Sequence, residues 1–217
     1  MTGFALYSAN DFRRRALSQT GLPVDVASRD HGEHVMNPHV SDVLDGMTLR
    51  DAAVLIPVVD DGVNGRMIFT QRTAHLRQHS GQIAFPGGGI DDTDQSPEHA
   101  ALREAEEEIG LDRRYVETVA RLPDYATLTG FRIKPVLAIV KPGYTLTANP
   151  SEVADIFDVP LSFLMNAQNH TIDSRVWKDS PLWNDRPHFY YTMPYGDRLI
   201  WGITAGIVRM AYERLYR

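Results

Sequence analysis

Two short apolar runs in the first half of the chain have the composition of β-strands. Residues 52–59 (AAVLIPVV) and 66–72 (RMIFTQR) are rich in aliphatic and β-branched side chains, which favour strands. The stretch between them, DDGVNG, carries two glycines and is typical of a turn. The pattern therefore predicts a β-hairpin.

Three later segments are also predicted to contain strands. Residues 116–124 begin one strand, and residues 131–140 (FRIKPVLAIV) form a second, in which Pro135 fits best at a bulge or a sheet edge. Residues 188–203 are predicted to form another hairpin, with PYGD as its turn.

Helical periodicity is found near both ends of the chain. A short amphipathic helix is predicted from Ala9 to Ser18, a short helix within residues 160–167, and a closing helix over residues 205–216. The apolar stripe of the closing helix consists of Ala205, Val208, Ala211, Tyr212 and Leu215. Because strands and helices mix without strict alternation, we predict an α/β fold with a mixed sheet covered by helices.

The chain divides into two parts by its pattern. Residues 1–49 are polar and weakly periodic, and we interpret them as an N-terminal extension that packs on a domain formed by residues 50–217. The extension either caps the sheet or builds the interface of a homodimer.

An acidic helix follows a glycine triplet in the segment FPGGGIDDTDQSPEHAALREAEEEIGL, residues 85–111. Ser96 is a favourable N-cap, Pro97 suits the first helical position, and Gly110 suits a left-handed C-terminal residue. These signals predict a helix from Pro97 to Ile109. The stripe predicted to face the core consists of Ala101, Leu102, Ala105 and Ile109.

Three carboxylates lie on the neighbouring stripe of this helix. Glu104, Glu107 and Glu108 have the spacing i, i+3 and i+4, and therefore fall within about 100° of one another. Arg103 lies four residues before Glu107 and can form a salt bridge with it. Like charges at this spacing repel, and the helix dipole disfavours them near the C-terminus.

The acidic cluster has two interpretations: a solvated surface, or a site for a cation. Oxygen ligands on one rigid face suit a hard divalent ion such as Mg²⁺ or Mn²⁺. The preceding Gly87, Gly88 and Gly89 let the backbone approach a ligand closely, and we assign Gly88 and Gly89 to substrate binding. No G-K-[ST] sequence follows the glycines, which excludes a P-loop.

Composition narrows the classes of protein that are possible. The 217 residues include no cysteine, which excludes disulfides and a cysteine nucleophile. The net charge of −6 argues against a general nucleic-acid surface. We find no apolar run long enough for a membrane span and no signal peptide at the start, so we expect a cytoplasmic protein with no membrane partner.

The glycine–helix segment resembles a known signature. Gly89, five residues, position 95, seven residues and then REAEEEIGL (103–111) are similar to the Nudix box. The box usually has Glu where this chain has Gln95, a position that supports the loop more than it binds metal. Asp91, Asp92 or Asp94 can supply a charge nearby.

Two further segments resemble the coenzyme A pyrophosphatase branch of the Nudix hydrolases. They are residues 76–88 (LRQHSGQIAFPGG) and residues 201–208 (WGITAGIV). The family resemblance implies an α/β/α sandwich in which the box forms a loop–helix–loop, and a metal-dependent hydrolase. The branch resemblance implies that coenzyme A and its acyl esters are cleaved to 4′-phosphopantetheine and adenosine 3′,5′-bisphosphate.

The resemblance also implies roles for individual residues. Glu104 and Glu108 would be the principal metal ligands, Glu107 would share an ion or polarise the water, and Arg103 would hold the carboxylates. The general base would be Glu107 or Glu152, although Glu152 can equally be a surface acid. Glu106 points elsewhere on the helix and is expected to be solvated.

Some candidate contacts to the substrate have more than one interpretation. Arg72 and Arg77 suit a phosphate, with structural pairing as the alternative. His75, His79 and Trp201 are weaker candidates. The competing functions are hydrolysis of ADP-ribose, NADH or a dinucleoside polyphosphate, and ligand binding without catalysis, which the retained RE and EE residues disfavour.

Overall fold

The computed structural model describes residues 5–19, 31–60, 64–74, 81–178 and 185–217. Within these ranges the strands are β1 (Arg50–Asp60), β2 (Gly65–Arg72), β3 (Ile83–Ala84), β4 (Gly87–Gly89), β5 (Val116–Arg121), β6 (Tyr125–Ala126), β7 (Phe131–Val140), β8 (Val153–Pro160), β9 (Thr171–Val176), β10 (Pro187–Tyr195) and β11 (Arg198–Trp201). The α-helices are α1 (Ala9–Ser18), α2 (Ser41–Gly46), α3 (Pro97–Ile109), α4 (Leu161–Leu164) and α5 (Gly202–Leu215). Short 3₁₀ helices cover Glu33–Val35, Pro38–Val40, Arg113–Tyr115 and Ala167–Asn169.

The larger sheet has eight strands and mixed pairing. Its main path runs β3-β2-β1-β7-β5, with β4 on β1, β6 on β7 and β8 on β2. Strands β1 and β7 are parallel along their length, whereas their other neighbours are antiparallel. The predicted mixed sheet is therefore confirmed.

The path of β1 positions the glycine triplet. Strand β1 pairs with β2 only at its C-terminal end, from Val58 to Asp60. Nearer its start, β1 pairs instead with β4, so that Ala52 lies opposite Gly89 and Val54 opposite Gly87. The glycines, which we predicted to form a turn that approaches a ligand, thus form a short strand inside the sheet.

Helices cover both faces of this sheet. Alternate residues of β1 point to opposite sides, as the period of a strand requires: Ala53 and Leu55 pack in one buried cluster with α3, whereas Ile56 and Val58 pack in another with α1, α4 and α5. The structure is therefore the α/β/α sandwich that the resemblance implied.

Most of the predicted elements near the sheet agree with the structure. Strands β1 and β2 are antiparallel neighbours, and the turn between them falls largely outside the described residues. Helix α4 is confirmed within 160–167. Pro135 is not on an edge strand, because β7 has partners on both sides. Pro135 lies opposite the gap between β5 and β6. The sheet needs no N–H donor at this position, so the proline, which has none, does not interrupt the hydrogen bonding between strands.

A separate three-stranded sheet, ordered β11-β10-β9, lies near the C-terminus. The predicted second hairpin corresponds to β10 and β11, and its turn is centred on Gly196, which has a φ of 60°. Strand β9 was not predicted. All its side chains are exposed, so it lacks the apolar alternation that marks a half-buried strand.

Helix α1 forms part of the core of the molecule. It spans the predicted range, and its Phe12 and Ala16 are fully buried in the same cluster as α5. Arg15 donates from Nη1 to the carbonyl of Leu215 at 3.0 Å. The helix thus caps one face of the sheet, which is one of the two roles expected of the extension. In the described ranges, no helix is both long and apolar enough to cross a membrane.

Candidate functional site

Helix α3 forms where its capping residues predict. The hydroxyl of Ser96 accepts a hydrogen bond from the His99 N–H at 3.2 Å, and Gly110 closes the helix in the left-handed region with a φ of 63°. Ala101, Ala105 and Ile109 are buried against the sheet as predicted, while Leu102 is only half-buried. The helix therefore presents its carboxylates from a fixed support.

The carboxylates of α3 have very different environments. Glu108 is buried, with 3% of its surface exposed, whereas Glu104 is half-buried and Glu107 is exposed. Glu106 lies on the exposed side and forms a 3.0 Å salt bridge with Arg113. The exposure of the three predicted ligands thus increases from Glu108 through Glu104 to Glu107. Glu106 forms an ion pair rather than being only solvated.

Glu108 is held by the glycine strand β4 and by the last residue of β2. Its Oε2 accepts a hydrogen bond from the Gly87 N–H at 3.1 Å, and its Oε1 lies 3.7 Å from Arg72 Nη1. Arg72 follows a register shift between β2 and β8, an irregularity of the kind that redirects side chains near active sites. Burial raises the pKa of Glu108 to about 7, because the hydrogen bond and Arg72 offset only part of the cost of burying its charge.

Gly88 brings the backbone against Glu104. A Cβ atom at position 88 would lie 2.5 Å from the Glu104 carboxyl carbon, so that any other residue would displace this side chain. Burial also raises the pKa of Glu104, and the charges of Glu107 and Glu152 add to the effect. The glycine strand and the acidic helix therefore form one compact unit.

Arg103 lies at the centre of a hydrogen-bonded network. Its Nε and Nη2 donate to the two oxygens of Asp94 at 3.1 and 2.9 Å. Its Nη1 donates to Glu104 at 2.9 Å and to Glu107 at 3.3 Å. The predicted Arg103–Glu107 pair is confirmed, and Asp94 is the acid among the three named candidates that engages Arg103 most closely.

Glu152 is brought to the same site by a loop tied to the end of α3. The N–H of Asn149 donates to the Glu108 carbonyl at 2.9 Å, and that of Thr73 donates to the Glu152 carbonyl at 2.9 Å. The Glu152 charge is close enough to raise the pKa of both Glu104 and Glu108. Glu152 is therefore near enough to these carboxylates for their charges to interact.

A pocket of about 280 Å³ opens beside the glycine strand. Its polar lining groups include the Arg72 guanidinium, Gln82 and the backbone of Gly87–Gly89. Most of its other lining residues are apolar, among them Phe85, Phe131, Ile133, Ile203 and Ile207. The pocket thus combines a few polar groups with a largely hydrocarbon lining.

The sequence identified this pocket only in part. Segment 201–208 supplies Ile203 and Thr204, but β7 residues such as Phe131 were not predicted to line a site. Trp201 packs against Tyr190, with ring centroids 5.5 Å apart, and is not among the lining residues. Arg77, His75 and His79 lie outside the described residues, so their predicted roles stay predictions.

The donor chemistry of the site suits a hard divalent ion. Glu104, Glu107, Glu108 and Glu152 offer only oxygen, and the buried Glu108 has Arg72 as a cationic neighbour only at 3.7 Å. In the part of the chain that the structure describes, no three acidic or imidazole side chains already converge in a ligating arrangement. Arg103 Nη1 contacts both Glu104, at 2.9 Å, and Glu107, at 3.3 Å. An ion at this site would compete with Arg103 for these two carboxylates.

Comparison with known proteins agrees with this geometry. Residues 49–178 match the NUDIX domain family. NudL of Escherichia coli strain K12, described as an uncharacterized Nudix hydrolase, is 41% identical over 161 residues, which cover 74% of this chain and 80% of that protein. NudL of Shigella boydii serotype 4 matches with the same identity and coverage. A solved Nudix hydrolase from M. Smegmatis, RenU, is 23% identical, with a TM-score of 0.44 over 54% of this chain and 80% of that chain.

The family match and the NudL relatives, together with the sandwich and the acidic helix, place the chain in a class of enzymes that hydrolyse pyrophosphate bonds. The chain belongs to the Nudix family. Nudix hydrolases generally need a divalent metal ion and act on nucleotide derivatives. The predicted family and enzyme class are confirmed.

Proposed function

We propose that this enzyme hydrolyses the pyrophosphate bond of coenzyme A and its acyl esters, yielding 4′-phosphopantetheine, or its acylated form, and adenosine 3′,5′-bisphosphate. The observation that carries this proposal is the mixed lining of the pocket beside Gly87 and Gly88, which contact Glu108 and Glu104. Its polar groups suit a diphosphate, and its apolar residues suit the hydrocarbon portion of a pantetheine arm. Segments 76–88 and 201–208, which resemble the coenzyme A branch, both contribute to this pocket.

We assign Glu104, Glu107 and Glu108 to binding Mg²⁺ or Mn²⁺. When bound, the ion supplies charge neutralisation at the phosphate oxygens and lowers the pKa of a water molecule. Arg103 holds the Glu104 and Glu107 carboxylates on one side of the helix. Gly88 leaves the space that the Glu104 carboxylate occupies.

Arg72 and Arg77 are proposed to bind phosphate oxygens of the substrate, and Gly88 and Gly89 to lie along its diphosphate. Arg72 lines the pocket, and its Nε is buried without a hydrogen-bond partner. A buried guanidinium N–H without a partner is costly, and a phosphate oxygen would satisfy it. Binding of substrate is thus expected to complete the hydrogen bonding of Arg72.

For the general base, we favour Glu152 over Glu107. Glu107 is exposed and engaged by Arg103, whereas Glu152 lies on a loop fastened to α3 and β2. In this scheme the Glu152 carboxylate takes a proton from the attacking water. The new P–O bond forms as the bridging P–O bond breaks, and the bridging oxygen leaves on the second phosphate.

Glu152→Gln is expected to lower kcat about a hundredfold, because removing a general base costs at least this much. The KM for substrate should change little, since Glu152 acts on the water. Steady-state kinetics on Glu152→Gln and on Glu107→Gln provide the comparison. Full kcat in Glu152→Gln would show that Glu152 is not the base, whereas a loss in Glu107→Gln is expected in either case because Glu107 is also assigned to the metal ion.

Substrate identity is tested by incubating the enzyme and Mg²⁺ separately with coenzyme A, acetyl-coenzyme A, ADP-ribose, NADH and a dinucleoside polyphosphate. We expect kcat/KM for the two coenzyme A compounds to exceed the others at least about tenfold, or about 1.4 kcal/mol of transition-state binding. Mass spectrometry should show 4′-phosphopantetheine and the bisphosphate. If another nucleotide were cleaved faster, that nucleotide rather than coenzyme A would be the substrate. Binding without any cleavage would favour a non-catalytic role.

A cytoplasmic location and a homodimer stay predictions, as does the division into residues 1–49 and 50–217. The burial of α1 in the core supports treating the first part as an integral cover of the sheet rather than as a separate unit.

A further inference from the structure

The one departure from the family signature lies beside a buried acid. Gln95 occupies the position where the Nudix box usually has Glu, and it is exposed. The preceding residue, Asp94, has a completely buried side chain. An acid buried this deeply requires partners, and the partners of Asp94 connect it to the candidate metal ligands.

Asp94 occupies most of the donor fork of Arg103. Its Oδ1 accepts from Arg103 Nε at 3.1 Å and its Oδ2 from Nη2 at 2.9 Å. His99 Nδ1 lies 2.8 Å from Oδ1, and the Asp91 N–H donates to Oδ2 at 2.9 Å. The hydrogen bonds with Arg103 lower the pKa of Asp94 despite its burial, so the pair is fully charged.

The third guanidinium nitrogen of Arg103, Nη1, is the atom that contacts Glu104 and Glu107. Only Nη1 contacts Glu104, at 2.9 Å, and Glu107, at 3.3 Å. Without Asp94, Arg103 would keep the hydrogen bond from its Nη2 to the Gly89 carbonyl at 3.1 Å, but its Nε and its uncompensated charge would be available to these two carboxylates. It would then compete more strongly with a divalent ion for the same oxygens.

We propose that Asp94 is a positioning residue for the metal site. By binding Nε and Nη2 and balancing the charge of Arg103, it restrains Arg103 to a single-nitrogen contact and keeps Glu104 and Glu107 available to a divalent ion. This inference rests on the proposed metal site, and it assigns a supporting role to Asp94, the buried neighbour of the exposed Gln95.

The test measures Mn²⁺ binding by electron paramagnetic resonance in the absence of substrate. Asp94→Asn keeps the size of the side chain and removes its charge, and should weaken Mn²⁺ binding by about 10- to 100-fold, as loss of a residue supporting a metal ligand commonly does. Because the defect lies in metal binding, raising the Mn²⁺ concentration should recover most of kcat, whereas general damage to the fold would not be reversed in this way.

Asp91→Asn is the matched control. It removes the same charge from the same loop, but Asp91 Oδ2 lies 3.7 Å from Arg103 Nη2 and its side chain is 68% exposed. Its Mn²⁺ affinity should stay within about twofold of the unmodified protein, because exposed ion pairs contribute little. An Asp94→Asn variant that bound Mn²⁺ as tightly as this control would overturn the inference.

A double variant tests whether Asp94 acts through Arg103. In an Arg103→Gln background, adding Asp94→Asn should change Mn²⁺ affinity by less than about threefold, well below its effect in the unmodified protein, because residues that act through one another have non-additive effects. A larger change would contradict the inference. This comparison also serves if Asp94→Asn alone fails to fold, because the double variant leaves neither charge of the pair buried alone.

The proposed metal site is checked separately with Glu108→Gln in the same binding assay. Weak Mn²⁺ binding by Glu108→Gln together with normal binding by Asp94→Asn would refute only the role of Asp94. Normal binding by Glu108→Gln and by Glu104→Gln would refute the metal site itself.

Discussion

Glu108→Gln should reduce turnover of the nucleotide substrate about a thousandfold while the protein remains folded. A metal ligand contributes several kcal/mol to stabilising charge in the transition state, and about 4 kcal/mol corresponds to this factor. The fold should tolerate the change. In the unmodified protein the Gly87 N–H donates to Glu108 at 3.1 Å, and the amide oxygen of glutamine can accept the same hydrogen bond without burying a charge. Steady-state kinetics and thermal unfolding on the same preparation measure the two effects.

Glu106→Gln is the control for this variant. It makes the same chemical change on the same helix, two residues away, but its side chain is exposed and paired with Arg113. A surface pair of this kind contributes about 0–1 kcal/mol to stability, and turnover should stay within about twofold. Equal activity of Glu108→Gln and Glu106→Gln would show that the buried carboxylate has no part in the reaction.

Removal of divalent ions by EDTA should abolish turnover, and addition of excess Mg²⁺ or Mn²⁺ should restore it. Without a cation, the carboxylates around Glu108 repel the incoming diphosphate, and the net charge of −6 does not offset this repulsion. An assay of product formation before chelation, after it, and after each ion is returned measures the dependence.

The fold itself should survive chelation, since its two buried clusters are apolar and contain no proposed metal ligand. Circular dichroism of the chelated protein distinguishes a lost ion from lost structure. Turnover that continued unchanged in EDTA, with ion removal verified by elemental analysis, would rule out the proposed metal chemistry.

Local signals in the sequence predicted the elements that depend on local interactions. The ranges of α1 and α3 followed from periodicity and capping, because Ser96 and Gly110 satisfy the helix ends through neighbouring residues. The parallel pairing of β1 with β7 joins residues about 80 positions apart and has no local signature. Strand β9 escaped prediction because its side chains are all exposed.

The site could be predicted only to the level of the helix that carries it. Spacing placed Glu104, Glu107 and Glu108 on one stripe, but it could not show that Glu108 is buried while Glu107 is exposed. That difference arises from Gly87 and Arg72, which other strands bring to Glu108. The same holds for Glu152, since backbone hydrogen bonds to the end of α3 and to Thr73, rather than its sequence position, fix the loop that carries it.

The burial of α1 affects how the protein can be shortened. Phe12 occupies space in the interior between α5 and the sheet, and deleting a buried phenylalanine from a core typically costs about 3–5 kcal/mol. A chain trimmed to the limits of the family match at residue 49 would therefore lose a piece of its interior, although it would keep every proposed catalytic carboxylate. The segment that matches the family begins at residue 49, whereas a piece that folds independently would also have to include α1.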